Sequence, residues 1–136
     1  MDANVPKREC FRLPPSDGAP ARARRFVSDV LDDWGVGEAF GDVPLVTSEL
    51  VTNAVRHAHS GITVSIDLVD ECVRVEVEDR SDDLPVMAAI DLARDGGWGL
   101  HIVERLSARW GLEPRGEGKA VWCEVAPRRP AGRRQV

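Results

Sequence analysis

Ile62-Thr63-Val64-Ser65-Ile66-Asp67-Leu68-Val69, Asp70-Glu71, Cys72-Val73-Arg74-Val75-Glu76-Val77-Glu78-Asp79: this stretch decides the fold. Ile62, Val64, Ile66 and Leu68 face one way, and Thr63, Ser65 and Asp67 face the other. A period of two with one apolar side is the pattern of a half-buried strand. Val73, Val75 and Val77 then alternate with Arg74, Glu76 and Glu78. Asp70-Glu71 is a short turn between them, so the two strands form an antiparallel hairpin. Asp79 shares the parity of the valines and is expected on the apolar face of the sheet. A carboxylate placed there needs partners. The other reading ends the strand at Glu78 and makes Asp79 the first loop residue.

Upstream the period changes to that of helices. Phe26, Val27, Val30, Leu31 and Trp34 give one apolar face to a helix from about Pro20 to Trp34. Pro20 suits the first helical turn, and Gly35 and Gly37 stop the helix. Val43, Thr47, Leu50, Val51, Ala54 and Ala58 predict a second helix from about Asp42 to Ala58. Residues 1–9 read as a flexible polar arm, with a short strand around Cys10–Leu13.

Downstream, residues 80–97 hold Asp82, Asp83, Pro85, Asp95, Gly96 and Gly97 and read as a long mobile loop. A third helix is expected over about Gly99–Ala108, a strand at Trp110–Glu113, a turn at Gly116–Gly118 and a last strand over Ala120–Val125. Residues 127–136 have no periodicity and read as a basic disordered tail. Helices and strands do not alternate one by one, which disfavours a doubly wound parallel sheet. The order fits an α+β fold: a two-layer α/β sandwich, three helices on one face of a mostly antiparallel mixed sheet. Residues 1–126 form the single expected domain.

Composition narrows the function. With 136 residues, 43% hydrophobic and 30% charged, the chain can build one core and bulk disorder is disfavoured. No run approaches 18 apolar residues, which excludes a membrane-spanning helix. Cys10, Cys72 and Cys123 are odd in number and scattered, fitting neither a disulfide framework nor zinc spacing, and point to a reducing cytoplasm. The net charge is −5 but uneven: Asp29–Glu124 holds 20 acidic and 8 basic residues, the two ends 3 acidic and 10 basic. An acidic body argues against a duplex-DNA reader.

Two further constellations can carry chemistry. Glu49, Asn53 and Arg56 lie at i, i+4 and i+7, stacked along one stripe of the second helix. A carboxylate, an amide and a cation so stacked can hold a hydrated metal and a polyphosphate. The same stripe is what a solvated helix face looks like. Asp95-Gly96-Gly97-Trp98-Gly99-Leu100-His101 is a glycine-rich loop opening a helix. Such a loop can bring free N–H groups to an anion, or it can be a plain connection.

In this order the elements resemble the Bergerat-fold ATP-binding family of gyrase and the histidine kinases. The small single-domain branch of anti-sigma-factor serine kinases and their actinobacterial relatives is the better match. The resemblance covers roughly residues 10–126. Ser48-Glu49-Leu50-Val51-Thr52-Asn53-Ala54-Val55-Arg56-His57-Ala58 looks like its N box. Val75-Glu76-Val77-Glu78-Asp79 looks like the adenine box, Gly97-Trp98-Gly99-Leu100 like the phosphate-loop box, and Gly118-Lys119-Ala120-Val121-Trp122 like the entry to the last strand.

The resemblance implies ATP and Mg²⁺. Asn53 would ligate Mg²⁺, and Glu49 would be the general base or would orient the attacking hydroxyl. Asp79 would accept from the adenine amino group. Gly97, Gly99 and Leu100 would give backbone N–H groups to the phosphates, with Arg56 near them, and residues 80–97 would be the lid. It further implies a cytoplasmic protein serine/threonine kinase that binds a sigma factor or another transcriptional regulator and phosphorylates an anti-sigma antagonist, with Arg22, Arg24 and Arg25 facing an acidic partner. It also admits a homodimer, with no membrane or nucleic-acid partner. The sequence departs from the family at Trp98, where the branch commonly has Arg or another small or polar residue, and at Ala120, where a Thr often supports adenine. Those departures, with the acidic lid, support the alternative of a non-catalytic binding module that senses nucleotide or ignores it.

Overall fold

A computed structural model of the chain describes residues 7–57, 61–80, 98–116 and 118–128. The elements in chain order are β1 (Lys7–Leu13), α1 (Ala19–Asp33), α2 (Val43–His57), β2 (Ile62–Val69), β3 (Cys72–Asp79), α3 (Trp98–Leu106), β4 (Arg109–Arg115) and β5 (Gly118–Val125). The five strands form one sheet in the order β1-β2-β3-β5-β4. All four pairings are antiparallel, so among the described residues the sheet has no parallel pair.

Two hairpins set the register. Val69 pairs with Cys72, leaving Asp70-Glu71 as a two-residue turn with Asp70 at φ 56. Arg115 pairs with Gly118, with Gly116 at φ 53. A left-handed residue at the start of such a turn matches its twist to that of the strands, and Asp and Gly tolerate that region better than most residues.

One face of the sheet carries Ile62, Val64, Ile66, Val73, Val75, Val77, Cys123 and Val125, all buried. Against it lie the helices. α1 buries Ala19, Ala23, Val27, Val30 and Leu31, with Pro20 in its first turn and Gly35 (φ 76) just past its end. α2 buries Val43, Val46, Leu50, Val51 and Ala54 and is the middle helix: it packs on α1, on α3 and on β3. The expected α+β sandwich is present, with three helices on one face.

The other face is charged. Arg74 bridges Glu76 (3.0 Å) and Glu124 (3.1 Å), and Arg115 bridges Glu76 (3.1 Å) and Glu113 (2.8 Å). The Arg74 guanidinium stands 4.3 Å from the centre of the Trp122 ring. That ring lies across Gly111, where any Cβ would fall 2.9 Å from it.

Several boundaries differ from expectation: β5 begins at Gly118, inside the expected turn, and α3 runs from Trp98 to Leu106. β1 begins at Lys7, so residues 7–9 are not part of a flexible arm: they pair with Leu68, Asp67 and Ile66, and Arg8 grips both oxygens of Asp67. β4 extends to Arg109 and Arg115 because its ends pair with Glu124 and Gly118. Pro127 and Arg128 are not a loose tail, since the Arg128 N–H donates to the Ala39 carbonyl (2.7 Å) and its guanidinium to Asp42 (2.6 Å). The remaining expected tail, 129–136, and the expected lid beyond Arg80 lie outside the described residues.

Candidate functional site

The stripe on α2 is not a solvated face. Arg56 is exposed and Glu49 half-buried, but Asn53 is only 8% exposed. A central helix has neighbours on most sides, so the stripe is buried at Asn53 and reaches water at Arg56. The Asn53 Nδ2 is fully buried and finds no hydrogen-bond partner among the described residues. Leaving such a donor unsatisfied costs about 1–3 kcal/mol. Ser48, one position before Glu49, is buried and tied down: its hydroxyl donates to the Leu45 carbonyl and takes a bond from Arg24 of α1 (3.1 Å).

Asp79 is the last residue of β3 and is 3% exposed. Of the two sequence readings, the strand parity holds and the loop reading falls. Directly opposite it on β5 stands Lys119, also 3% exposed. The Lys119 ammonium donates to Asp79 Oδ1 at 3.2 Å and lies 3.0 Å from Oδ2. Lysine is rarely buried unless paired, and here each charge is the other's partner. The sequence reading passed over Lys119. Its signal was available, because Lys119 shares the parity of Val121, Cys123 and Val125 and so belongs to the apolar face.

The register also corrects the reading of Ala120. It pairs with Glu78 and Glu113 and therefore faces away from Asp79. Lys119, not Ala120, meets the carboxylate. Gly118 is fixed by the same geometry: a Cβ there would sit 1.8 Å from the Asp79 carbonyl oxygen and 2.7 Å from Arg80 Cα. Only glycine lets β5 approach the end of β3.

Gly99 and Leu100 lie in the first turn of α3, and Gly97 lies outside the described residues. The first N–H groups of an α-helix have no acceptor within the helix, and the positive end of its dipole suits an anion. α2, which carries the stripe, packs against both the strand that ends in Asp79 and the helix that Gly99 and Leu100 help to open. A cavity of about 750 Å³ opens at the ends of β1, β2 and β3, between Phe11, Arg12, Gly61, Ile62, Glu78, Asp79 and Arg80. Among the described residues it takes in Asp79 but not Glu49, Asn53 or Arg56.

No three His, Cys, Asp or Glu side chains among the described residues form a metal cluster. Mg²⁺ does not require one, since it is commonly held by one or two protein oxygens together with substrate phosphates and water. Of the Asn53 amide, Oδ1 is the atom that would meet the cation, while the buried and unpaired Nδ2 leaves a donor for an oxygen of the ligand. The three cysteines are free, and burial pushes the Cys123 thiol up to about 11, which makes it a poor nucleophile. No described helix is long and apolar enough to cross a membrane.

Residues 13–124 match the family described as the histidine kinase-like ATPase domain. The chain is similar to the serine-protein kinase RsbW of Staphylococcus epidermidis, 27% identical over 115 residues, covering 71% of this chain and 72% of that protein. The protein of the same name from Staphylococcus aureus strain Newman is 25% identical over the same length. Among solved structures, the RsbU and RsbW domains of a Mycobacterium tuberculosis protein superpose with a TM-score of 0.68 at 24% identity. That match covers 91% of this chain but only 33% of the mycobacterial one. The Acinetobacter baumannii histidine kinase AdeS gives a TM-score of 0.51 at 17% identity, over 88% of this chain and 67% of the kinase. At these identities the two structures speak to fold alone.

Proposed function

The chain belongs to the histidine kinase-like ATPase domain family, and we propose that it is an ATP- and Mg²⁺-dependent protein serine/threonine kinase of the anti-sigma-factor type. On this reading it acts in the cytoplasm, holds a sigma factor or another transcriptional regulator, and phosphorylates a Ser or Thr of that regulator's antagonist. The observation that carries the reading is Asn53: an amide buried on the central helix with an unpaired donor, one turn after Glu49. Thr47 Oγ1 and Ser107 Oγ are also buried without a partner among the described residues, and what singles out Asn53 is its place in the polar stripe one turn after Glu49.

The roles follow from the chemistry of each side chain. Asn53 would hold Mg²⁺, which neutralises phosphate charge when bound. Glu49 would accept the proton of the attacking hydroxyl or hold that hydroxyl in line. Backbone N–H groups at Gly97, Gly99 and Leu100, with Arg56, would bind the phosphates. Asp79 would accept from the amine of adenine. Phosphoryl transfer needs little covalent work from the protein, so positioning and charge suffice. The phosphate added to the antagonist would weaken docking by charge and desolvation. Arg22, Arg24 and Arg25 are exposed along α1 and offer an acidic partner a basic surface. A homodimer is part of the same reading.

A second reading, a nucleotide-sensing module without catalysis, is favoured by Trp98, which opens α3 where the first reading puts the phosphates. Calorimetry with ATP and Mg²⁺ on wild type, Asn53→Ala and Asp79→Asn tests what the two share. Heat from wild type that is lost in both variants supports nucleotide binding, and no heat from wild type removes both readings. Labelled ATP with a candidate antagonist then separates them. Transfer by wild type but not by Glu49→Ala supports the kinase, and equal transfer by both defeats the role given to Glu49.

A further inference from the structure

Lys119 has more hydrogen-bonding capacity than its surroundings use. Its ammonium carries three donors, and its only hydrogen-bond partner among the described residues is the Asp79 carboxylate. At 3% exposure, water is a poor outlet for the remainder. Neutralising Asp79 is a weak reason to keep it, because well-packed apolar residues of similar volume often replace a buried ion pair without loss of stability. The two side chains hold an acceptor and a donor about 3.0 Å apart on the face of the sheet that meets the helices, and of the two Asp79 lines the cavity at the end of β3.

The Watson–Crick edge of adenine is the complement of that pair. Its exocyclic amine donates, and the adjacent ring nitrogen N1 accepts. We infer that Lys119 is a base-recognition residue: it donates to adenine N1 while Asp79 accepts from the exocyclic amine, so the pair reads both groups of the edge. The inference rests on the ATP reading above and adds a specificity-determining residue to it. The sequence places no other lysine near this site, since Lys7, the only other one, lies on β1.

The test is calorimetry with ADP, 1-deaza-ADP (which carries C–H in place of N1) and GDP, on wild type and on Lys119→Met. Wild type should bind 1-deaza-ADP roughly 10- to 100-fold more weakly than ADP, the usual loss for one hydrogen bond to a charged group. Lys119→Met should bind the two equally. The wild-type comparison stands even if that variant fails to fold. Equal affinity of wild type for ADP and 1-deaza-ADP would overturn the inference and leave the ATP reading intact. Discrimination that survives Lys119→Met would overturn it too, and so would GDP binding at least as tight as ADP. If wild type binds none of the three, the ATP reading falls and the inference with it.

Discussion

Removing one member of the Asp79–Lys119 pair should be far more damaging than removing both. The two groups are each 3% exposed and meet at 3.0 Å, so Lys119→Met leaves a carboxylate, and Asp79→Leu leaves an ammonium, buried without the charge it faces across the sheet. Breaking a buried pair from one side costs about 3–5 kcal/mol, whereas replacing the whole pair is close to neutral. The double variant should therefore lie within roughly 1 kcal/mol of wild type, and the coupling between the sites should be several kcal/mol. Domain stabilities of about 5–15 kcal/mol leave the single variants folded at low temperature when the wild type lies above the bottom of that range. At this chain length 1 kcal/mol moves Tm by roughly 3 °C, so each single variant should melt about 10–15 °C lower. Urea unfolding of the four proteins, followed by tryptophan fluorescence and far-UV circular dichroism, gives the cycle. Single losses below 1 kcal/mol that simply add would refute the reasoning, because the pair would then behave as an exposed one.

Gly118→Ala should destabilise by more than the roughly 1–3 kcal/mol of ordinary overpacking, because the new methyl meets backbone at 1.8 Å and no side chain can move aside; thermal melting beside Gly116→Ala, where a Cβ meets nothing within 4 Å, separates crowding from turn strain. Acid should loosen the charged face of the sheet. The hydrogen bonds from Arg115 and Arg74 outweigh burial and hold Glu76 below its ordinary value of 4.5, while Arg109 and then Arg74 do the same for Glu124. A lowered carboxylate contributes stability above its unfolded value and loses it as pH falls through the folded one. Tm should be flat above about pH 5.5 and drop below 4.5, by an amount set by pairs worth about 0.2–1 kcal/mol each. Glu76→Gln should lower Tm at pH 7 and make the acid drop shallower, and an unchanged pH profile would count against the network.

The β2–β3 hairpin was legible because one face of each strand is polar and the other apolar, which writes the period of two into the sequence. β1 was half hidden by the same rule. Lys7, Arg8 and Glu9 sit at the sheet edge, where charged residues are tolerated, so no alternation marks them. The three helices were legible from their apolar stripes, but the burial of Asn53 was not, since being the middle helix is a tertiary fact. The placement of β5 between β3 and β4 leaves no local trace either, because it depends on which distant strand each edge meets. That placement is what joins Lys119 to Asp79 and turns Ala120 away. The chemistry of the site was readable one residue at a time, and its pairings were not.

The two edges of the sheet close very different lengths of chain. β4 joins β5 across a two-residue turn, whereas β1 must find β2 across about 50 residues, which adds roughly 2–3 kcal/mol of closure entropy. The two hairpins can therefore zip early, and β1 docks after α1 and α2 have packed. Docking is held by the Phe11–Phe26 stack, with centroids 4.8 Å apart, and by Arg22 above Phe11. The same asymmetry is expected to open β1 before the inner strands of the native sheet. Its amide hydrogens should exchange with solvent ahead of those of β3, although both belong to one continuous sheet.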